Sequence, residues 1–223
     1  MINYNKPTLV FDYDGTIHNT ILIYLEAFNK CYKWLVNNKY VQEENIPPER
    51  ISGWLGMNAR DMWNSFQPDL SQEIKDIASA KIGSEMISGI LNGRAKWYPN
   101  TVQTLQQLLT EGYNMVILSN CKSSYRDANW ATFEMERFFE RFYDCESYGF
   151  APKEQIIKEI AGEYPAPFVV IGDRDSDLKG AKSIGAKFVG CSYGYGTEEE
   201  LSGSDGIIDS IEQLPQKLKE LLG

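Results

Sequence analysis

Several residue types and patterns are scarce in this 223-residue chain, and each shortage argues against a class of function. The single histidine, His18, nearly removes histidine-based triads and histidine-rich metal sites from consideration. The four cysteines form no C-x-x-C pair, so we expect reduced thiols in a cytoplasmic protein rather than a zinc site. No apolar run is long enough to cross a bilayer, and we expect no signal peptide, because the first strand follows the N-terminus closely.

Positive charge is also in short supply. The chain has 22 Lys and Arg residues against 31 Asp and Glu residues, which gives a formal net charge of −9. This balance argues against nucleic acid and against an anionic membrane surface as partners. An anionic substrate would therefore need a locally positive site or a bound cation. The sequence does not indicate an oligomeric state.

The length and the ordinary composition suit one large globular domain, or a core with a smaller inserted domain. From residue 20 to about residue 93 the apolar spacing is helical, with stretches at 50–63 and 72–91, and no strand is evident. Strands and helices alternate after that. Strands are expected at 115–118, near 145, at 168–171, 188–190 and 206–208, and helices at 99–109, 123–142, 153–162, 176–184 and 211–222.

This alternation predicts an α/β fold with a parallel sheet and helices on both faces. The early helical segment then interrupts the fold between its first strand and the remainder. We therefore expect an α/β core domain of residues 1–17 and 94–223, and an all-helical inserted domain of residues 18–93.

The most informative segment begins with the apolar run Leu9–Phe11, which continues directly into Asp12 and Asp14 and then Gly15. The run is typical of a buried strand, and charge at the end of such a strand is costly unless something compensates it. Two carboxylates about 4 Å apart repel each other by about 4 kcal/mol at an effective dielectric constant of about 20. A strand that ends in turn-forming aspartates is the simpler interpretation, but the pair favours a metal ion, a shared proton or catalysis.

Polar residues follow three of the apolar strands at the point where each strand ends. Asp12 and Asp14 follow the first, Ser119 and Asn120 end the second, and the segment 172–177 follows the third. In open parallel sheets, ligands bind beyond the carboxyl ends of the strands. The three groups are therefore expected to face one crevice.

The residue types in this crevice suit a phosphate and a divalent cation. Asp12, Asp14 and Asp173 offer the hard oxygen ligands of a cation such as Mg²⁺. The hydroxyl of Ser119 and free backbone amides at turns into helices suit phosphate oxygens. A bound cation would offset the repulsion between the carboxylates and would stabilise charge on a phosphoryl group during its transfer.

The ordered set of motifs resembles the haloacid dehalogenase superfamily over essentially the whole chain. The set consists of D-x-D-G-T, a strand ending in Ser119, a downstream lysine and G-D-x-x-x-D. The chain is most similar to the phosphoglycolate-phosphatase-like branch, in which a helical cap is inserted just after the first motif. The resemblance implies a Rossmann-like core with an all-helical cap. It also implies a Mg²⁺-dependent phosphatase that hydrolyses a small phosphorylated metabolite through an aspartyl-phosphate intermediate.

The same resemblance assigns roles to four aspartates. Asp12 is expected to be the nucleophile that attacks phosphorus. Asp14 is expected to protonate the leaving alkoxide and then to activate water. Mg²⁺ would be held by the Asp12 carboxylate, the Asp14 backbone carbonyl and Asp173, with Asp177 in the metal site or just behind it. Asp177 could instead be an acid favoured by the N-terminal dipole of a helix.

The phosphate-binding roles fall on three further residues. Ser119 is expected to bind the phosphoryl group, with help from the backbone of Asn120. Lys153 is expected to neutralise Asp12 and the phosphate, although here proline precedes the lysine, whereas many relatives have proline directly after it. Lys158, on the same expected helix, is the alternative site lysine.

The presence of Asp14 favours phosphate esters over haloacids, because a departing halide needs no proton. A phosphomutase of the β-phosphoglucomutase type, with the same nucleophile, is the nearest alternative function. A phospho-accepting receiver domain and a non-catalytic binding protein are more distant ones.

Three features of the helical segment have two interpretations each. His18 could contact substrate, but a hinge or surface position is favoured. Arg60 could reach toward an anionic substrate or lie exposed on a helix. A group of large side chains is interpreted as core of the inserted domain rather than substrate pocket: Trp54, Met57, Met62 and Trp63.

Overall fold

Six strands pair in one sheet in the computed structural model, which describes residues 2–223, and every pair is parallel. The spatial order, numbered along the chain, is 3-2-1-4-5-6. This sheet, with helices packed on it, confirms the α/β fold class. The strands are β1 (Thr8–Phe11), β2 (Asn114–Ser119), β3 (Arg141–Asp144), β4 (Phe168–Gly172), β5 (Lys187–Cys191) and β6 (Gly206–Ile208).

Ten α-helices are present in the described residues, and none is long and apolar enough to span a membrane. Five of them lie between β1 and β2, and the first four fall in the segment that the sequence predicts to be helical: α1 (Ile21–Asn37), α2 (Pro48–Ser52), α3 (Ala59–Phe66) and α4 (Gln72–Leu91). The others are α5 (Thr101–Thr110), α6 (Ser123–Thr132), α7 (Lys153–Glu163), α8 (Asp175–Ser183), α9 (Glu198–Leu201) and α10 (Leu214–Leu222). Short 3₁₀ helices cover Met135–Arg137, Glu146–Tyr148 and Ile211–Gln213.

Strand β1 lies at the centre of the sheet, where the strand order reverses. Phe11 is in register with Ile117 of β2 on one side and with Ile171 of β4 on the other. The chain therefore leaves all three strands at the same edge of the sheet. This reversal point is where open α/β sheets bind their ligands.

The alternation of side chains along β1 divides the core between the two faces of the sheet. Leu9 and Phe11 belong to a hydrophobic cluster on one face, and Val10 belongs to a separate cluster on the other. Both clusters consist of buried apolar side chains from strands and from the helices that cover them. A strand buried on both faces explains why the Leu9–Phe11 run is continuously apolar.

Helices α1–α4 and their connecting loops, here called the helical block, surround a hydrophobic cluster of their own. Its centre is aromatic: the ring centroids of Phe28, Trp54 and Phe66 lie 4.9–5.3 Å apart. Ile23 of α1 and Ile90 of α4 belong instead to a cluster of the sheet. The block therefore has a separate core but packs on the sheet through the two ends of its chain.

Two predicted helices differ from the structure. The 123–142 helix is wrong beyond Thr132, since Glu134 adopts a left-handed conformation (φ 48°) and Phe142 lies in β3. Neither glycine nor proline marks this break in the sequence. The 50–63 helix is wrong as well, because α2 and α3 are separate helices. Gly56, at φ 81°, lies in the loop between them.

Candidate active site

Three carboxylates meet at the carboxyl edge of the sheet, as the sequence predicts for Asp12 and Asp173. Asp12 follows β1, Asp173 follows β4, and Asp177 lies in the first turn of α8. All three are buried, and each offers an oxygen within 4.8 Å of the others. Such a group of hard oxygen atoms is what a divalent cation such as Mg²⁺ binds.

Lys153 lies against this group at the start of α7. Its Nζ donates hydrogen bonds to Oδ1 of Asp12 and to Oδ1 of Asp177, each at 2.6 Å. Burial alone would lower the pKa of Lys153, but the two carboxylates outweigh it and raise that pKa, so the side chain is a cation. Lys158 is exposed on the same helix. The structure therefore brings Lys153, and not Lys158, to the carboxylates.

One lysine does not balance the charge of three buried carboxylates. Burial raises the pKa of Asp12 well above its usual range, although the Lys153 charge opposes the shift. Burial, with the Asp177 charge, raises the pKa of Asp173 to about 7. Both shifts show that further positive charge would stabilise the ionised forms. The donor set and its charge therefore fit a bound divalent cation.

Glycines leave room for the Asp173 carboxylate, because they have no side chain there. A Cβ on Gly15 or on Gly194 would lie 2.3 Å from an atom of the Asp173 side chain, and Gly15 has φ 93°. The backbone N–H of Tyr195 donates to Oδ2 of Asp173 at 2.7 Å, and the Thr16 hydroxyl donates to Oδ1 at 3.2 Å. The carboxylate is therefore held in one orientation within a cradle of glycines.

The Asp14 carboxylate has a different environment. It does not join the group formed by Asp12, although its backbone position two residues later is as expected. Its Oδ1 accepts hydrogen bonds from the hydroxyls of Thr20 at 2.6 Å and Tyr125 at 2.8 Å, and His18 Nδ1 lies 3.4 Å away. Burial raises the pKa of Asp14, but these partners more than offset it, so the pKa is lowered. Asp14 is therefore ionised, with His18, Thr20 and Tyr125 around its Oδ1.

His18 is buried, so the surface half of the favoured interpretation, a hinge or surface position, is wrong, and the hinge position stays a prediction. Its ring stacks on Tyr13 at a centroid distance of 5.1 Å, and its Nδ1 is within hydrogen-bond distance of the hydroxyls of Thr20 and Tyr125. No described residue is a partner for its Nε2. Two further aromatic rings beside His18, those of Tyr125 and Phe133, come from a distant part of the chain, and no signal near position 18 indicates them.

The phosphate-binding candidates lie at the same edge of the sheet. Ser119, the last residue of β2, is buried, and Asn120 follows it. The amide Nδ2 of Asn120 donates to the backbone carbonyl of Gly56 in the helical block, at 3.1 Å. The predicted role of Asn120 concerned its backbone alone, and this side-chain contact was missed.

Arg174 makes the second polar connection to the helical block. Its guanidinium donates to the carbonyls of Leu55 at 2.5 Å and Gly53 at 3.3 Å, and it pairs with Glu200 at 3.1 Å. Arg174, Thr20 and Tyr125 are site residues to which no sequence motif assigns a role. The one available signal concerned Arg174, which lies among aspartates in the sequence, because a cation in such a segment is expected to form ion pairs or hydrogen bonds.

A cavity of about 170 Å³ opens from Asp12 and Asp14 between the sheet edge and the helical block. Its far wall includes Trp54, Met57 and Met62. The interpretation of these residues as core alone is therefore incomplete, although Trp54 and Met62 are buried and pack in the block's own cluster. A second cavity, of about 350 Å³, lies on the other side of Gly56 and reaches Lys153.

Arg60 lies at the second cavity, exposed, with its Nε 3.3 Å from Oδ1 of its neighbour Asp61. The arginine is not among the residues that line the first cavity. The exposed-helix interpretation therefore describes its position.

A family profile described as "Haloacid dehalogenase-like hydrolase" matches residues 9–191, which include β1 apart from Thr8, all of β2 to β5 and the whole carboxylate group. The chain belongs to this family. Membership identifies the protein as a hydrolase and accounts for the order of its motifs along the chain.

Individual relatives of this hydrolase are similar at low identity but over most of their length. A phosphoglycolate phosphatase of Caulobacter vibrioides is 25% identical, over 98% of this chain and 93% of the relative. The pyrophosphatase PpaX of Anoxybacillus flavithermus is 22% identical over 89% of each chain. The crystal structure of a "predicted phosphatase" from Clostridium acetobutylicum has a TM-score of 0.80 at 21% identity, covering 96% of this chain and 99% of that one. The structural likeness supports the same fold.

Proposed function

We propose that this protein is a Mg²⁺-dependent phosphatase that hydrolyses a small phosphorylated metabolite through an aspartyl-phosphate intermediate on Asp12. The observation that carries the proposal is the buried cluster of Asp12, Asp173 and Asp177 beside Lys153, at the reversal point of the sheet. The family relationship and the names of the relatives are consistent with chemistry at phosphate groups.

Asp12 acts as the nucleophile. One of its carboxylate oxygens attacks phosphorus, and the bond from phosphorus to the substrate oxygen breaks. The leaving alkoxide takes a proton from Asp14. Lys153, already 2.6 Å from Oδ1 of Asp12, neutralises charge on this carboxylate and on the phosphoryl oxygens. The Ser119 hydroxyl and the backbone after β2 hold the phosphoryl group.

Asp14 then serves the second half of the reaction. Its carboxylate takes a proton from water, the water oxygen attacks phosphorus, and phosphate departs while Asp12 is regenerated. The ionised state favoured by His18, Thr20 and Tyr125 is the state that this base needs. The first half needs the protonated form, and the approach of an anionic phosphate favours that form by raising the pKa of Asp14.

Asp12, Asp173 and the backbone carbonyl of Asp14 would hold the metal, with Asp177 adjacent. When bound, Mg²⁺ supplies positive charge that lets an anionic phosphate approach Asp12 and stabilises charge on the transferring group. The residues themselves orient the site: Lys153 positions Asp12 and Asp177, and the Tyr195 N–H positions Asp173.

The helical block serves as a cap over this site. Residues 1–17 and 94–223 form the core domain, and residues 18–93 form the cap. The separate aromatic cluster of the block supports the division. The connections from Asn120 and Arg174 support an active site that lies between the two domains.

Release of inorganic phosphate from a panel of sugar phosphates, nucleotides, phosphoglycolate and acetyl phosphate tests this function. The purified chain is expected to release phosphate with Mg²⁺ and to lose that activity on chelation. Acid quenching followed by mass spectrometry should locate a phosphorylated Asp12 peptide. Isomerised sugar phosphate without released phosphate would indicate the mutase instead, which no comparison favours. No phosphate release from any substrate would overturn the proposal.

A further inference from the structure

The side chains that line the cavity beside Asp14 indicate what kind of substrate the cavity can hold. Its far wall comes from the helical block and is formed by apolar and small side chains. They are Tyr24, Trp54, Leu55, Met57, Ala59, Met62, Ile82, Met86 and Ile87. The only polar side chain that α4 adds to the lining is Ser79, whose hydroxyl accepts a hydrogen bond from Trp63 Nε1 at 2.7 Å. The wall therefore has little to offer a charged group.

Cations are nearly absent from this lining. Of the lining residues, all of which lie in the described chain, only Lys122 has a cationic side chain, and it is exposed at the start of α6. Arg60 and Arg174 line the second cavity instead. Arg174 is already paired with Glu200 and with carbonyls of the block. A second anionic group on a substrate would therefore lose its hydration in the first cavity without gaining a buried partner.

The cavity is continuous with the reacting groups. Asp12, Asp14, Ser119 and Asn120 line the same space as the apolar wall. A phosphoryl group at Asp12 therefore places the remainder of its ester within reach of the helical block. Small-molecule sites are commonly apolar pockets with a few polar groups that fix orientation, and here the polar groups are those of the catalytic edge.

We infer that the substrate is a phosphate monoester whose alcohol portion is uncharged and largely apolar, and that this portion occupies the cavity against α3 and α4. The inference rests on the proposed phosphatase function and gives its substrate class. It excludes as preferred substrates a short phosphate ester that carries a carboxylate and a compound that carries a second phosphate. This chain therefore differs in specificity from what the printed names of its relatives state for those proteins.

Ile87 is the residue with which this specificity can be tested. It lines the cavity from α4, is only partly buried and belongs to no hydrophobic cluster of the described chain, so its replacement should not unfold the protein. Ile77 lies on the same helix, is exposed and does not line the cavity. Ile87→Lys and Ile77→Lys therefore place the same cation inside and outside the cavity on one helix.

The experiment measures phosphate release from methyl, propyl and hexyl phosphate, from 2-phosphoglycolate and pyrophosphate, and from acetyl phosphate as a substrate with a minimal leaving group. For the unmodified chain, kcat/KM is expected to rise by about twofold to fourfold for each methylene that becomes buried. It should be lower for 2-phosphoglycolate and pyrophosphate than for hexyl phosphate. Ile87→Lys should lower kcat/KM for hexyl phosphate by about tenfold, because a poorer fit in a hydrophobic pocket lowers kcat/KM by at least this factor. The same substitution should raise kcat/KM for 2-phosphoglycolate, because the lysine offers its carboxylate a partner. Ile77→Lys should change neither.

Two results would overturn the inference while leaving the phosphatase intact. One is an alkyl series with equal kcat/KM values alongside normal hydrolysis of acetyl phosphate. The other is a higher kcat/KM for 2-phosphoglycolate than for hexyl phosphate, and loss of that preference in Lys122→Met would assign the carboxylate to the exposed lysine. Failure to hydrolyse any member, acetyl phosphate included, would instead overturn the proposed function and the inference with it. Retained acetyl phosphate hydrolysis in Ile87→Lys shows that the variant is folded.

Discussion

The two walls of the cleft differ in almost every physical respect. The sheet edge brings Asp12, Asp173, Asp177 and Lys153 together in buried positions, and glycines remove the side chains that would block them. The wall formed by the helical block is apolar and adds no cation to the first cavity. Under the proposed function, we expect the sheet edge to carry the chemical step and the helical block to select the substrate. The following predictions can break or sharpen this division.

The largest effect is expected at the nucleophile. Asp12→Asn keeps the shape but removes the attacking oxygen, so kcat should fall by at least about 10⁴-fold, as for other lost nucleophiles. Because burial already raises the pKa of Asp12, the neutral amide should not lower the free energy of unfolding. Phosphate release and urea unfolding measure the two quantities, and Asp61→Asn, at an exposed site, is the control. Activity within tenfold of the unmodified chain would refute the mechanism.

Replacement of the site lysine should affect both activity and stability. Lys153→Met leaves Asp12 and Asp177 without their buried partner, which typically lowers the free energy of unfolding by about 3–5 kcal/mol. A loss in kcat/KM of about 10²- to 10³-fold should accompany it, as for other removed electrostatic contacts. Lys158→Met, five residues along α7 and exposed, should leave both quantities unchanged. Equal effects of the two substitutions would contradict the assignment of Lys153.

Substitution in the glycine cradle of Asp173 should have an intermediate effect, seen as weaker Mg²⁺ binding. Gly15→Ala would strain a backbone at φ 93° and place a methyl group against the Asp173 carboxylate. Mg²⁺ affinity, measured by calorimetry, should fall by about 10- to 100-fold, the usual range when the support of a metal ligand is removed. Gly93→Ala is a matched control, because Gly93 has φ 71° but nothing within 4 Å of its added Cβ. Gly93→Ala should lower the free energy of unfolding by about 1–2 kcal/mol and leave Mg²⁺ affinity unchanged. Unchanged Mg²⁺ affinity in Gly15→Ala would count against Asp173 as a ligand.

The smallest loss of activity is expected at a hydroxyl group that donates to Asp14. Tyr125→Phe removes one of the two hydroxyl donors to Oδ1 and leaves Thr20 in place. Loss of one hydrogen bond to a charged group typically costs about 1.5–3 kcal/mol. In the second half of the reaction Asp14 acts as the ionised base that this hydroxyl orients, so kcat should fall by at least about tenfold. Kinetics with acetyl phosphate provide the measurement, since this substrate makes least use of the apolar wall. A loss of activity seen with hexyl phosphate alone would instead assign Tyr125 to substrate binding at the apolar wall.

Much of the sheet edge could be predicted because its signals are local. An apolar run that continues into Asp12 and Asp14 identifies both a strand and its functional end, and parallel topology then brings Asp173 and Ser119 to the same edge. The burial of Asp177 and the contact between Lys153 and two carboxylates depend on how α7 and α8 pack, which no spacing in the sequence encodes.

The surroundings of Asp14 could not be predicted for a related reason. Tyr125 lies 111 residues from Asp14 along the chain, and His18 is enclosed by aromatic rings from α6 and its neighbourhood. The predicted 123–142 helix was too long because its apolar residues keep a helical spacing past Thr132. Only the left-handed Glu134 ends it, and glutamate is not a residue that signals such a turn.

The contacts from Asn120 and Arg174 to the helical block have one consequence for how such an enzyme can change. Both side chains donate to main-chain oxygens, at positions 53, 55 and 56. A main-chain oxygen persists whatever amino acid occupies the position. Mutation can therefore alter the lining of the cleft while the helical block keeps its attachment, so new substrates can be acquired in small steps without changes at the sheet edge.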